Sequence, residues 1–480
     1  MWLVLATVLL IRLATLGLYP LLDPSEARYA EMARRMLTDG GWITPWFATG
    51  DPFWGKPPLA FWTQAASMQI FGVNEFAVRL PAWLLQLATC GLMIRMAREE
   101  GDERAGVVAA ILFSSSLLGV VASGAVLTDP ALNFSAFLAG YGFWRGMAHA
   151  DRRAAIWGFV GLGLGLLAKG PLILLLVGLP ALSWTVLTRR WAPFVRLPWA
   201  CGVGVVLAIA VPWYAVAELR TPGFLDYFLV GEHWNRFLVS NWAGDRYGAA
   251  HAQPWGTVWL YLVGSFLPWS LLLPLIFTRR HRLAEGREYT LFLALVALTT
   301  PVFFTAAGNV LWTYVLPALP ALSLLLAHAL RDEATLPSWH WTTALALPLL
   351  LLLVVVDGRL LERSENQRGV VALWNDHARH QTGPLYYATT RSYASEFYSA
   401  GAVRTAEKAS ALPRDGLFYV ALKDSRRSGW QWPDTLRCED VGRTSKTVLF
   451  RCWAPQPGGL DELAQRHAST EAAAKRPGGS

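Results

Sequence analysis

Residues 154–188 read AAIWGFVGLGLGLLAKGPLILLLVGLPALSWTVLT. A single charge, Lys169, parts two apolar runs, and Gly170 and Pro171 follow it at once. An α-helix needs about 20 apolar residues to cross the hydrocarbon of a bilayer. The runs 154–168 and 171–188 are short for that, so they read as two spans or as one broken span. Nine further runs lie outward from them. Upstream are 2–22, 75–97, 105–126 and 130–148; downstream are 197–217, 255–277, 289–306, 312–330 and 341–356. The pattern predicts an α-helical polytopic membrane protein with about 11 to 13 transmembrane helices. Composition agrees: 16% of residues are charged, against about a quarter in soluble domains, so much of the surface does not face water.

Short connections orient the chain. Arg98 and Arg104, then Arg152 and Arg153, then Arg189, Arg190 and Arg196, then Arg279, Arg280, Arg282 and Arg287 fall in alternate connections. The connections at 127–129 and 307–311 carry no Lys or Arg. The arginine-bearing side is therefore cytoplasmic and the N-terminus inside. The net charge of +8 arises largely from these anchors and is no nucleic-acid stripe. The 24 tryptophans suit a membrane interface. The first run has no basic start and no clear cleavage site, and it carries Arg12. It reads as a real span whose arginine faces the bundle interior, not as a signal peptide.

Three pieces then lie outside: 23–74, 218–254 and everything after about 357. The expected domains are a transmembrane domain over 1–356, a small soluble α/β domain over 357–455, and a disordered tail over 456–480 rich in Ala, Gly, Pro and charge. Within the soluble domain LFYVAL (417–422) and TVLFRC (447–452) read as strands. Cys438 and Cys452 flank a hairpin and can pair in an oxidising compartment. Cys90 and Cys201 lie in spans and read as packing residues. There is no internal repeat, phosphate-loop motif, dinucleotide fingerprint or metal-spaced His and Cys cluster.

The first outer piece opens with DPSEARYAEMARRMLTDG (23–40). Asp23 is a good N-cap, Pro24 suits the first helical position, and Glu26 completes a capping box. Tyr29, Ala33, Met36 and Leu37 form an apolar face, and Arg28, Glu31, Arg34 and Arg35 a charged one, so this helix lies on the membrane surface. Next, Lys56 sits among aromatics in GDPFWGKPPLAFWTQ. It is either a snorkelling lysine or a contact for a lipid phosphate. Asp129, in LTDPALNF, again precedes proline and could be only a cap. Lys169 stands at the outer end of a span, where the positive-inside bias disfavours it. The second outer piece carries Glu232, His233 and Arg236 in FLVGEHWNRF, then His251. If that stretch is helical, 232, 233 and 236 share a face.

Carboxylates (Asp23, Glu26, Asp129, Glu232) and cations (Arg28, Lys56, Lys169, Arg236) thus gather at outer ends. Cations stabilise a leaving phosphate; a carboxylate can act as base or hold a divalent metal ion. The chemistry fits a phosphate-bearing substrate at the membrane surface. A lipid or sugar transporter would share the spans and edge charges, but no repeat of spans is visible.

Several stretches, in order from about 19 to 325, carry a resemblance. They are DPSEARYAEMARRML, GKPP, FGVNEFAVRLPA, LTDPALNF, LAKGP, VPWY, EHWNRF and LPALP. The chain resembles the bacterial aminoarabinose-transferase-like branch of the C-type glycosyltransferases, related to lipid A aminoarabinosyl transferases and protein mannosyltransferases. The resemblance implies the C-type fold and an outward-facing cavity in a bacterial inner membrane. It also implies inverting transfer from an undecaprenyl (polyprenyl) phosphate sugar to a lipid A-like or other envelope acceptor, or to protein hydroxyls. It implies Asp23 or Glu26 as the first-loop acid, Asp129 as the second, and Arg28 and Lys56 on the donor phosphate. Tyr29, Lys169, Glu232, His233, Arg236, His251 and Tyr314 would bind substrate. A divalent metal is left open, no nucleic acid is expected as partner, and a monomer is. The chain departs from the family pattern at Ser25, where members carry an acid. It departs again at Gly55, where an acid usually precedes the lysine, and at Val310, where members often carry a lysine.

Overall fold

The computed structural model describes residues 1–48, 50–248, 251–279, 281, 283, 286–330, 338–357, 367–379, 381–444 and 446–454. The expected tail at 456–480 and the arginines at 280 and 282 lie outside them. The chain forms two compact units: Met1–Tyr19 with Met32–Asp357, and Pro20–Glu31 with Gly358–Ser480.

The first unit is helical. Four helices are long and apolar enough to cross a membrane: Glu75–Glu99, Trp199–Arg220, Arg287–Thr305 and Trp312–Ala329. A fifth crossing is added if Thr257–Ser265 and Trp269–Thr278, bent by 101°, count as one. Trp2–Thr15, Leu172–Thr188 and Trp341–Asp357 are shorter apolar helices. By length and composition the described helices therefore do not establish the 11 to 13 spans expected from hydropathy, because several apolar runs are divided. The run 105–126 becomes Glu103–Ser115 and Leu117–Ala122, with Ser116 between them. Ser116 Oγ accepts from Gly119 N at 3.2 Å and so starts a new helix. The runs flanking Lys169 are likewise two helices, Arg152–Lys169 and Leu172–Thr188.

Short polar side chains set several helix starts. Asn74, Asp102 and Asp151 accept from the backbone N–H three residues on, at 2.9, 2.9 and 3.0 Å. Asp129–His149 and Arg152–Lys169 pack with backbones close together: a Cβ at Gly142 would meet Ala154 O at 2.4 Å. Trp144 anchors the neighbouring core, with its ring centroid 5.3–5.8 Å from those of Trp184, Tyr289 and Phe292. Arg12 is buried, as expected of a charge in the first run. It donates to Val120 O, Thr15 Oγ1 and Tyr19 Oη. Arg79 stacks on the same Tyr19 ring at 3.7 Å.

The second unit holds a five-stranded mixed sheet. Its spatial order is Arg404–Ala406, Leu385–Ala388, Leu417–Lys423, Thr447–Trp453, Arg437–Thr444. The first three strands are parallel and the last two pair antiparallel. Leu417–Lys423 is buried on both faces: Phe418, Val420 and Leu422 join one core cluster, Tyr419 and Ala421 the other, the period of two that a central strand requires. Cys438 and Cys452 stand opposite each other in the ladder and form a disulfide.

Candidate active site

The helix Arg152–Lys169 ends on Lys169, where a cation meets the negative end of the helix dipole. The helix Asp129–His149 begins on Asp129, where the dipole favours an anion. Their packing brings these two ends together. Lys169 Nζ lies 2.7 Å from Asp129 Oδ1, and each side chain is 9% exposed. The ammonium also sits 4.5 Å from the centroid of the Tyr314 ring, within cation–π range.

Gly170 ends the lysine helix at φ +83°, and a Cβ there would lie 2.6 Å from the Phe228 ring and 2.9 Å from His233. Glycine thus supplies the left-handed turn and lets the second outer loop pack directly on it. That loop folds as a π-helix over Asp226–Asn235, a form that recurs at functional sites. His233 lies between two carbonyls, with Nδ1 2.8 Å from Phe228 O and Nε2 3.1 Å from Lys169 O. Burial lowers its pKa below the ordinary value, so at neutral pH it is an uncharged ring that donates to one carbonyl.

Glu232 is the hub of the loop. Its side chain is 4% exposed, 2.9 Å from Lys56 Nζ and 3.1 Å from Arg236 Nη1. Burial pushes its pKa up, but Lys56 and Arg236 outweigh this and hold it below the usual carboxylate range. Arg236 also reaches Asp245 at 3.5 Å. Asn309 secures the loop from below, donating to Arg236 O at 2.7 Å and Val239 O at 2.8 Å.

These groups line one cavity of about 450 Å³. Its lining combines polar residues, Lys56, Lys169, Glu232, His233, Arg236, Asn309 and Tyr314, with apolar ones, Leu172, Leu174, Leu175, Phe237, Phe303 and Phe304. Asp129 stands behind the lining, on Lys169.

Asp23, Glu26, Arg28 and Tyr29 belong to the second unit. There Asp23 accepts from Ser392 Oγ at 2.8 Å and Ala394 N at 3.0 Å, at the start of the helix Tyr393–Tyr398. Glu26 accepts from Leu22 N at 3.3 Å, and the Arg28 guanidinium lies 5.4 Å from the Tyr29 ring centroid. His251 is exposed, and its backbone carbonyl accepts from Val310 N at 3.0 Å. Sequence reasoning missed Asp245 and Asn309. Asn309 is a lone polar residue between apolar runs, which was the available signal, and Asp245 stands beside Arg246 in the same connection as Glu232. Among the described residues no three His, Cys, Asp or Glu side chains gather so as to hold a metal ion.

The family model for dolichyl-phosphate-mannose-protein mannosyltransferase matches residues 2–228. An undecaprenyl phosphate-alpha-4-amino-4-deoxy-L-arabinose arabinosyl transferase of Pseudomonas fluorescens (strain Pf0-1) is 33% identical over 344 residues, covering 70% of this chain and 60% of the relative. Its counterpart in Pseudomonas aeruginosa (strain UCBPP-PA14) is 34% identical over 322 residues, covering 65% and 56%. The chain is related in sequence to these aminoarabinose transferases. It spans about six tenths of the length of those curated relatives. Its fold is that of ArnT from Cupriavidus metallidurans, solved bound to undecaprenyl phosphate, with a TM-score of 0.73 and 21% identity over 94% of this chain and 97% of that one. In this chain the same cavity is lined by apolar side chains and by three cations, Lys56, Lys169 and Arg236.

Proposed function

We propose that this chain is a membrane glycosyltransferase. It moves a sugar from a polyprenyl-phosphate donor to a lipid A-like acceptor at the periplasmic face of a bacterial inner membrane. The observation that carries the reading is one cavity lined both by leucines and phenylalanines and by Lys56, Lys169 and Arg236. The relatives' names supply the donor and the sugar class.

The prenyl tail lies against Leu172, Leu175 and Phe303, and its phosphate enters among the cations. Each cation is already held by a carboxylate, so the phosphate competes for it and gains charge-assisted hydrogen bonds. An acceptor oxygen attacks the anomeric carbon from the face opposite the phosphate. The carbon–oxygen bond to the lipid phosphate breaks, and the phosphate leaves with the bonding electrons. Lys56, Lys169 and Arg236 offset the charge that develops on it. When the acceptor is a hydroxyl, its proton passes to a carboxylate: Asp129 once Lys169 has turned to the phosphate, or Asp23 or Glu26 as the family resemblance implies. When the acceptor is a phosphate, already anionic at neutral pH, no base is needed. His233 holds Lys169 to the loop through its backbone and does not need to exchange a proton.

The match to the protein mannosyltransferase model favours a second reading, in which the acceptor is a protein hydroxyl. The test is reconstitution of the full chain in proteoliposomes with polyprenyl-phosphate sugar and either a lipid A-like or a hydroxyl-bearing peptide acceptor. Transfer to the lipid that fails in Lys56→Ala and Lys169→Ala supports the proposal. Transfer to peptide alone selects the second reading. Sugar counterflow without transfer overturns both.

A further inference from the structure

A second cavity, of about 430 Å³, opens on the side of the first unit between the helices Trp2–Thr15 and Glu75–Glu99. Leu5, Leu9, Leu87, Cys90 and Ile94 give it apolar walls, and Arg95 and Arg98 stand at one end. Trp2 lines the same end, from the start of the other helix. No carboxylate lines it. Arg95 shares Glu99 with Arg145, at 2.9 and 3.3 Å, and Arg145 also reaches Asp151 at 3.8 Å. Arg98 has no ion-pair partner among the described residues. From Leu87 to Arg98 the helix rises about 16 Å, close to half of a hydrocarbon core about 30 Å thick. The groove thus reaches the depth of a single leaflet, with cations at its headgroup end. Arg98 belongs to the connections that the positive-inside bias places in the cytoplasm.

We propose that this groove binds a glycerophospholipid with an anionic headgroup from the cytoplasmic leaflet. One acyl chain lies along Leu9, Leu87 and Cys90, and the phosphate sits between Arg95 and Arg98. Charge decides the headgroup: two guanidiniums without a lining acid favour a net anion over a zwitterion. Depth decides the tail, since one leaflet's acyl chain fills the groove and a polyprenyl tail overruns it.

The experiment is native mass spectrometry of the purified, delipidated full chain with phosphatidylglycerol, phosphatidylethanolamine or polyprenyl phosphate added at equal concentration. Phosphatidylglycerol is expected to be retained about thirtyfold more than phosphatidylethanolamine, the ratio given by about 1 kcal/mol for each of two basic residues near an anionic lipid. Arg95→Gln with Arg98→Gln brings the two lipids level. Gly91 lines the groove, and a Cβ there meets no atom within 4 Å. Gly91→Leu therefore fills the groove and removes both lipids, while Gly91→Ala keeps them; the melting temperature of each variant shows that it is folded. Three results overturn the proposal: equal retention of the two phospholipids by the wild-type chain, retention unchanged in folded Gly91→Leu, or displacement of phosphatidylglycerol by polyprenyl phosphate.

Discussion

Asp129 and Lys169, forty residues apart in the chain, meet at 2.7 Å with both side chains nine-tenths buried. Removing one partner of such a pair strands the other charge, at about 3–5 kcal/mol. Lys169→Met is therefore expected to destabilise the chain by an amount near the low end of that range, because the neighbouring cavity admits some water. The double variant Asp129→Asn with Lys169→Met strands nothing and should recover most of the loss. Thermal unfolding in detergent checks this; a double variant as unstable as the single one would show that the pair is not the source.

Asp129→Asn keeps the shape of the side chain, removes its charge and strands Lys169, so its transfer is compared at matched stability with that of Lys169→Met. Full insertion with transfer to a hydroxyl acceptor reduced at least about a hundredfold is expected if Asp129 serves as base, the span typical of general-base loss. Unchanged transfer to that acceptor would leave Asp129 a structural anchor.

Asp23 calls for a different comparison. Its carboxylate accepts from Ser392 and Ala394, so a change there disturbs the second unit as well as any chemistry. Ser392→Ala removes one of these bonds without touching the acid and should cost about 1 kcal/mol. If Asp23→Asn and Ser392→Ala lower transfer equally at matched stability, Asp23 positions the loop; a loss confined to Asp23→Asn marks it as reactive.

Gly170→Ala should be disproportionately harmful for one methyl group. The backbone sits at φ +83° and the new carbon would press on the Phe228 ring. The expected cost is about 1–3 kcal/mol of local strain, read as faster hydrogen exchange across 226–238 and weakened donor binding. Wild-type exchange in that segment would refute the fit.

Acidification should release the same loop in two stages. His233 is held below its ordinary value of 6.5, chiefly by burial, so the released loop takes a proton before the docked one does. Docking stability is then present above pH 6.5 and declines as pH falls through that value toward the docked pKa. Glu232, held below 4.5 by Lys56 and Arg236 against the upward push of burial, adds a second decline below pH 4.5. Hydrogen exchange at 226–238 against pH should show both steps, and His233→Asn should abolish the first.

The inventory of the site was legible from residue types and their place at the outer ends of apolar runs. Its pairing was not. Lys56 and Glu232 are 176 residues apart, and no local periodicity joins them. Lys169 followed by Gly170 and Pro171 announced a helix end, and the structure breaks the chain there. By contrast, Ser116 is the last of three serines inside one apolar run, and hydropathy alone does not tell a serine that starts a new helix from one that a continuous helix carries. The π-helix was hidden for a related reason: its i to i+5 bonding follows no pattern that a 3.6-residue period detects. Asp23 and Glu26 read as a capping box on their own helix, whereas the bond of Asp23 to Ser392 depends on a contact 369 residues away.

The right-angled pair Thr257–Ser265 and Trp269–Thr278 raises a matter of parity. Arg196 and Arg279 stay in one compartment only if an even number of crossings separates them. The helix Trp199–Arg220 is one. Were the bent pair a hairpin that dips in and returns, the arginines would be parted by the bilayer, against the charge bias that orients every other connection. By that bias the pair is expected to complete its traverse despite the corner. A labelling reagent that cannot permeate, applied to single cysteines at Gly256 and Arg279, would find them on opposite sides.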